Sequence, residues 1–347
     1  MRILTLGLMI TLAASAASLR AQVITLDMVP VGNAGNVADP ATGSLYGAVP
    51  YNYNIGKYDV TVGQYVAFLN SVATKSDPYG LYYSGMAPGN DMPTIGIVQS
   101  GAPGSYSYTV GGSYSQAANC PIYDVSWGDA ARFCNWLANG QPTSGTESTG
   151  TTETGAYALN GATSQAALMA VPSPAHSGSN AAAYFLPSEN EWYKAAYYSG
   201  GGTNSAYYAY PTKSNTAPGN TLPDLGNNAN FYLSNLTDPT NYLTPVGSFA
   251  DSPGPYGTYD MGGDVFQWNE ADISGSFRGL RGGTWDYYSI DLASSRRFYI
   301  GPSGGGHYIG FRVASSVAVP EPGSLTLLLV GAGAVGLIGF RWWRRTA

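Results

Sequence analysis

Apolar residues recur at helical spacing in only three windows of the chain. After Thr61, the residues Tyr65, Phe68, Leu69 and Val72 fall at i, i+3, i+4 and i+7, and Thr61 suits the N-cap of the helix they imply. The run PIYDVSWGDAARFCNWL, opened by Pro121, predicts a second helix. Ser126 and Asp129 form a short capping box, Trp127, Ala131, Cys134 and Leu137 face inward, and Asn139-Gly140 stop it. Ser188 and Glu191 make a fuller capping box for a third helix, which turns Trp192, Ala195 and Ala196 inward. Elsewhere the pattern is short and broken. Residues 23–29 alternate loosely, as an edge strand would. Residues 32–54 read as a winding arm rich in Gly, Asn, Ala and Tyr. Residues 74–119 read as loops and short strands, including one near 106–110, and residues 227–249 crowd turn residues around two short strands. The sum is an α+β chain with two or three short helices, much irregular structure and no fixed-period repeat.

Two kinds of segment depart from this. Residues 140–183 are a low-complexity tract of Thr, Ser, Gly and Ala, too poor in apolar side chains to build a core of their own. They read as a long surface loop within one domain, with His176 solvated. Both ends read as addresses. Arg2, an apolar run and small residues give residues 1–21 the pattern of a signal peptide cut near Ala16 or Ala21, too short to favour a membrane span. At the other end, Pro320-Glu321-Pro322 precedes the uncharged run 325–340. That run is a transmembrane helix on the pattern of Arg341, Arg344 and Arg345 held in the cytoplasm and Trp342 and Trp343 at the interface. The organisation is therefore a signal (1–21), an N-terminal arm (22–45), one domain (46–315, with 140–183 inserted) and a C-terminal signal (316–347).

Composition narrows the function classes. Of 347 residues only 10% are charged, with Gly 46 and Tyr 28, which argues against both a solvated helical protein and wholesale disorder. A net charge of −6 gives no footprint for nucleic-acid binding. Cys120 and Cys134 are the only two cysteines, so at most one internal disulfide is available. Cys134 lies on a buried helix face, which favours a packed thiol, and a Cys120–Cys134 bridge stays open in an exported chain. His307 stands in Gly-Gly-Gly-His-Tyr, without neighbours for a triad or a zinc site. Nothing in the spacing of Asp272 and Asp286 selects paired-acid hydrolysis over ordinary surface acids.

The stretch 256–312 carries the strongest signal. Gly262-Gly263 and Gly282-Gly283 suit positive φ or close chain approach, Trp268 and Trp285 are large anchors, and Arg278, Arg281, Arg296, Arg297 and Arg312 can brace loops. Its pieces are GGDVFQW (262–268), RGGTW (281–285), SSRR (294–297) and GFRV (310–313). Upstream, IGKYDVT (55–61) and FLPSENEW (185–192) agree. In this order they resemble the formylglycine-generating enzyme family, or sulfatase-modifying factors, over roughly residues 46–315. The resemblance implies a fold related to the C-type lectin domain. The family's oxidases convert a substrate cysteine to formylglycine with copper on two thiolates, which would fall near Tyr287 and Leu292. The segment DYYSIDLA (286–293) contains no cysteine, so no copper is expected.

The resemblance also implies structural calcium on two loops. The first would use Asn230, the Phe231 carbonyl, Asp238 and the Thr240 carbonyl. The second would use Asp260, the carbonyls of Met261, Gly263 and Val265, and Gln267, which replaces an acid and weakens the site. The alternative is that these Asn and Asp side chains only close turns. A ligand cleft would be lined by Trp268, Thr284, Trp285, Tyr287 and Tyr288, though Trp268 and Trp285 also suit a core. The C-terminal layout resembles the PEP-CTERM sorting signal of Gram-negative bacteria. It implies an exosortase, an inner-membrane-anchored precursor, and release or attachment at the cell surface near exopolysaccharide. The expectation is an exported, non-catalytic module that binds a glycan or protein ligand at the surface or in extracellular matrix. The alternative is a formylglycine-generating oxidase, or another activity in the same cleft, acting on exported proteins.

Overall fold

The computed structural model describes residues 23–200 and 206–316. The signal peptide and the helix expected at 325–340 lie outside the described residues. Among the described residues no helix is long and apolar enough to cross a membrane.

The strands are β1 (Met28–Val31), β2 (Tyr53–Gly56), β3 (Gly96–Ser100), β4 (Ser107–Gly111), β5 (Phe266–Ile273), β6 (Phe277–Arg281), β7 (Phe298–Ile300), β8 (Ile309–Gly310) and β9 (Ala314–Ser315). They form three small sheets, ordered β1-β2-β9, β3-β4 and β7-β6-β5-β8, with β5 and β8 parallel. The edge strand expected at 23–29 appears as β1, later than its apolar alternation suggested, and the expected strand near 106–110 is β4. Strands expected within 227–249 reduce to isolated bridges such as Asn230 with Gly263. The reason is local: Asp238 Oδ1 takes the backbone N–H groups of Thr240 and Asn241 at 3.0 and 2.9 Å, closing a turn where a ladder would have run.

The helices are α1 (Val62–Val72), α2 (Trp127–Ala138), α3 (Gln165–Met169) and α4 (Glu189–Tyr197). Thr61 caps α1 as expected, and Gln64 completes a box with it. The shorter Asp129 also closes its box, since Ser126 N donates to Asp129 Oδ2 at 2.8 Å. Ser188 N likewise donates to Glu191 Oε2 at 2.7 Å at the start of α4. The inward faces of α1 and α2 meet in an aromatic cluster. Phe133 lies edge-on to Phe68 and Phe311 with ring centroids 5.3 Å apart in both pairs, and Trp136 packs at 5.6 Å. Each such pair adds about 0.5–1.5 kcal/mol beyond its burial.

Residues 140–183 are not a surface loop. Thr151, Thr152, Glu153, Tyr157, Leu159, Leu168 and Val171 are buried, and the segment contains a π-helical turn (Thr149–Glu153) as well as α3. It makes no core of its own; it docks on the main one. Arg132 of α2 donates from Nε and Nη2 to the two Glu153 oxygens at 2.8 and 3.1 Å. Asn135 Nδ2 donates to the carbonyls of Thr152 and Tyr157 at 2.7 and 2.8 Å.

His176, expected in solvent, is buried too. It stacks on Phe185 with centroids 3.9 Å apart, and its Nδ1 lies 2.8 Å from Glu191 Oε2 while Nε2 lies 3.0 Å from Glu270 Oε2. Low apolar content told correctly that the segment lacks an independent core. It said nothing about polar docking.

Candidate functional site

The site is built on the turn that joins β6 to β7. Gly282 and Gly283 have φ of +105° and +75° there, and Gly263, in the loop before β5, has +87°, so both segments depend on left-handed backbone. Gly262 serves the other expected purpose, close approach: a Cβ there would lie 2.6 Å from Pro211 Cγ. Arginines brace the surroundings. Arg281 pairs with Glu189 Oε1 at 2.7 Å, Arg297 with Glu189 Oε2 at 2.6 Å, and buried Arg312 reaches Gly56 O, Tyr259 O and Gln267 Oε1.

At the two positions where the family would carry copper thiolates, the side chains are apolar packing. Leu292 is fully buried beside Phe231, and a Cβ on Gly283 would meet its Cδ1 at 2.7 Å. The Tyr287 ring sits among Phe266, Phe298 and Tyr308 at centroid distances of 5.4, 5.9 and 6.3 Å. Both cysteines are free and buried among the described residues, so Cys120 and Cys134 are not bridged. Burial raises the pKa of both thiols, the reverse of what a thiolate ligand needs. The donor set does not fit copper.

The five cleft residues divide by depth. Trp268 and Thr284 are fully buried and satisfied: Trp268 Nε1 donates to Val125 O at 2.9 Å, and Thr284 Oγ1 to Asp264 O at 3.0 Å. They lie in the core beneath the turn. Trp285 stacks on Tyr242 at 4.4 Å and 4° and is only 8% exposed. Tyr287 is half-buried and Tyr288 is 61% exposed, its ring edge-on to Tyr232. The accessible side chains are thus Tyr288 and part of Tyr287, beside the nearly buried Trp285. His307 joins them, with Nε2 3.6 Å from Asp286 Oδ2; that contact raises the imidazole pKa against the opposing pull of burial. Asp272 instead closes a turn with Gly275 N at 2.8 Å and shares no site with Asp286.

Sequence reasoning missed two features. One is the His176–Glu191–Glu270 cluster; a glutamate on the strand that carries buried Trp268 required a buried positive partner and so pointed to one of two histidines. The other is a cleft of about 330 Å³ lined by Tyr79, Tyr83, Asp91, Asp124, Asp129 and Arg132 among others. No spacing in the sequence links Asp91 to Asp124.

The two loops assigned to calcium lie side by side, since Asp264 N donates to Asn230 O at 2.9 Å. Their oxygens fit a hard cation in part. Asn230 Oδ1 and Asp260 Oδ1 are buried and receive no donor. Asp59 and Asp264 are buried and Asp260 is half-buried; Arg312 lies beside Asp59 and Asp260, and burial holds all three carboxyls above the ordinary carboxylate range. Other assigned oxygens are engaged. Gln267 Oε1 accepts from Trp192 Nε1 at 2.7 Å and Arg312 Nε at 2.6 Å, and Phe231 O accepts from Asn220 Nδ2 at 3.0 Å. Gln267 is a brace in this arrangement.

Several known proteins are similar to this chain. Treponema denticola variable protein 1 superposes with a TM-score of 0.52 at 20% identity, covering 86% of this chain and 98% of that one. CarF gives a TM-score of 0.52 at 20% identity, covering 85% of this chain and all (100%) of that one. Such likeness shows the fold: α+β, formylglycine-generating-enzyme-like and related to the C-type lectin domain. Serine/threonine-protein kinase pkn1 of Chlamydia pneumoniae is 28% identical over 151 residues, 38% of this chain, which spans about a fifth (21%) of that protein's length. A PEP-CTERM protein-sorting motif matches residues 318–345, which implies export and recognition by an exosortase. The sulfatase-modifying factor enzyme 1-like domain matches residues 34–317, and the chain belongs to that family.

Proposed function

We propose that this exported domain holds a glycan or protein ligand and does not oxidise cysteine. The observation that carries the reading is the replacement of both thiolate positions by packed side chains, with Leu292 in a satellite core and Tyr287 in an aromatic cluster. Cu(I) needs soft sulfur ligands, and none stands at this turn. What the turn offers instead is the exposed Tyr288 ring beside half-buried Tyr287, flanked by Asp286 and His307. Aromatic faces stack on the apolar sides of sugars or on peptide side chains, while the flanking charges orient polar groups. The sorting motif supports export, and the partners proposed for such a surface are exopolysaccharide or matrix protein. A structural calcium would be held by Asn230 and Asp260, neutralising part of the buried acid around Arg312.

The test incubates the purified full chain with a cysteine-containing peptide, copper and oxygen, and follows formylglycine by mass spectrometry. In parallel, a glycan array and a pull-down seek a ligand. The reading expects no conversion and a ligand whose binding weakens on Tyr288→Ala. Conversion above the copper-only control would favour the oxidase alternative.

A further inference from the structure

The cleft between Tyr79, Tyr83 and the loop carrying Asp124 is chemically lopsided. Three carboxylates, Asp91, Asp124 and Asp129, line it beside one guanidinium. That guanidinium is engaged: Arg132 is held by both Glu153 oxygens and lies 4.3 Å over the Tyr79 ring. Asp129 is engaged as well, since its Oδ2 takes the N–H and the hydroxyl of Ser126 at 2.8 and 2.7 Å. Asp91 and Asp124 remain.

Asp124 is 4% exposed, and its Oδ2 is buried without any donor. Asp91 stands at the exposed rim, its carboxyl within hydrogen-bonding reach of Asp124. Carboxylates only accept hydrogen bonds, so two that face each other leave a gap to be filled by a cation or a shared proton. The backbone fixes Asp124 in place. It sits at φ +57°, with its N–H on Gly306 O at 3.0 Å, and Gly305 packs so closely that a Cβ there would lie 3.1 Å from the Asp124 carbonyl.

We propose that Asp91 and Asp124 bind a hard divalent cation of the calcium type at the mouth of this cleft. The site is separate from the Asn230 and Asp260 loops. All its donors are oxygen and no thiol lines the cleft; His307, whose charge acts on Asp124, is paired with Asp286, so the donor set selects calcium or magnesium over zinc or copper. Among the described residues no group of three or more His, Cys, Asp or Glu converges on a metal, so this is a two-carboxylate site. Water or ligand oxygens must complete the coordination shell, and the ion therefore exchanges readily and leaves positions open toward the cleft. The inference does not depend on what the Tyr288 face binds.

Tyr79 and Tyr83 beside the carboxylates supply the readout, because tyrosine transfers excitation to bound terbium, a calcium mimic. The full chain carrying Asp260→Asn, which weakens the other loops, is titrated with terbium and then with calcium as competitor. The expected result is a saturable, calcium-displaceable luminescence whose affinity drops about tenfold or more on adding Asp91→Asn. Asp91 is exposed, so this variant spares the fold; Asp124→Asn, checked for folding by circular dichroism, should abolish the signal. Saturable luminescence that is unchanged by Asp91→Asn, or no saturable luminescence at all, would overturn the site and assign the gap to a shared proton.

Discussion

Residues 256–312 and residues 140–183 are fixed to the same core by different means. The first joins shape to charge: left-handed glycines and buried tryptophans, with arginines that reach backbone carbonyls and pair with Glu189 and Asp59. The second has no buried tryptophan and relies on a few buried charges. Glu153 meets Arg132, Tyr157 donates its hydroxyl to Glu270, and His176 lies between Glu191 and Glu270. Arg278 ties the two together, donating to Glu270 O at 2.8 Å and to Val171 O at 2.9 Å. Low complexity shows that a segment cannot fold alone, and leaves open whether it docks.

The comparison breaks most visibly at Arg132. Removing one partner of a buried pair leaves the other charge uncompensated, at a cost of about 3–5 kcal/mol. Urea unfolding of Arg132→Ala should show that loss. A change within about 1 kcal/mol, the range of exposed pairs, would mean that residues 140–183 are loosely held. In the other region the matching experiment is a cavity. Leu292→Ala should cost about 2–5 kcal/mol in the same assay, since Leu292 fills the space under Gly262 and Gly283.

His176 sharpens the contrast through pH. Burial lowers its pKa, but hydrogen bonds to Glu191 and Glu270 outweigh this and raise it to about 10. The folded state therefore binds the proton more tightly than the unfolded chain does. The stabilisation is complete below about pH 6.5 and is lost as pH rises through about 10. Melting curves of the parent and His176→Gln should differ most at pH 6, by about 1.5–3 kcal/mol, and converge toward pH 10. A gap that stays constant with pH would mean that the imidazole acts by packing on Phe185 alone. The smallest effect on stability is expected at exposed Tyr288, where Ala should change it by no more than about 0.5 kcal/mol while weakening ligand binding.

Much of this fold was legible because it is written locally. Capping boxes at Ser126 and Ser188 need only residues three apart, and the α1 face needs only its apolar spacing. The same holds for the thiolate positions, where the absence of sulfur at Tyr287 and Leu292 is visible in one short run. What stayed hidden depends on contacts between distant residues. Arg132 and Glu153 are 21 positions apart, and Gln267 and Arg312 are 45 apart. Gln267 read as a weakened metal ligand because the residues that bond its oxygen, Trp192 and Arg312, were not adjacent in sequence. The cleft residues Trp268 and Thr284 were misjudged in depth, not in neighbourhood: they lie beneath the turn that presents Tyr288.

The central claim is that this turn cannot hold copper. The most direct measurement titrates the reduced full chain with Cu(I) against a chromophoric chelator. The account predicts that the chelator keeps its metal at every protein concentration, because the two thiols are buried at Cys120 and Cys134 and none stands at 287 or 292. Stoichiometric withdrawal of copper by the folded chain, retained when both cysteines are replaced by serine, would contradict it.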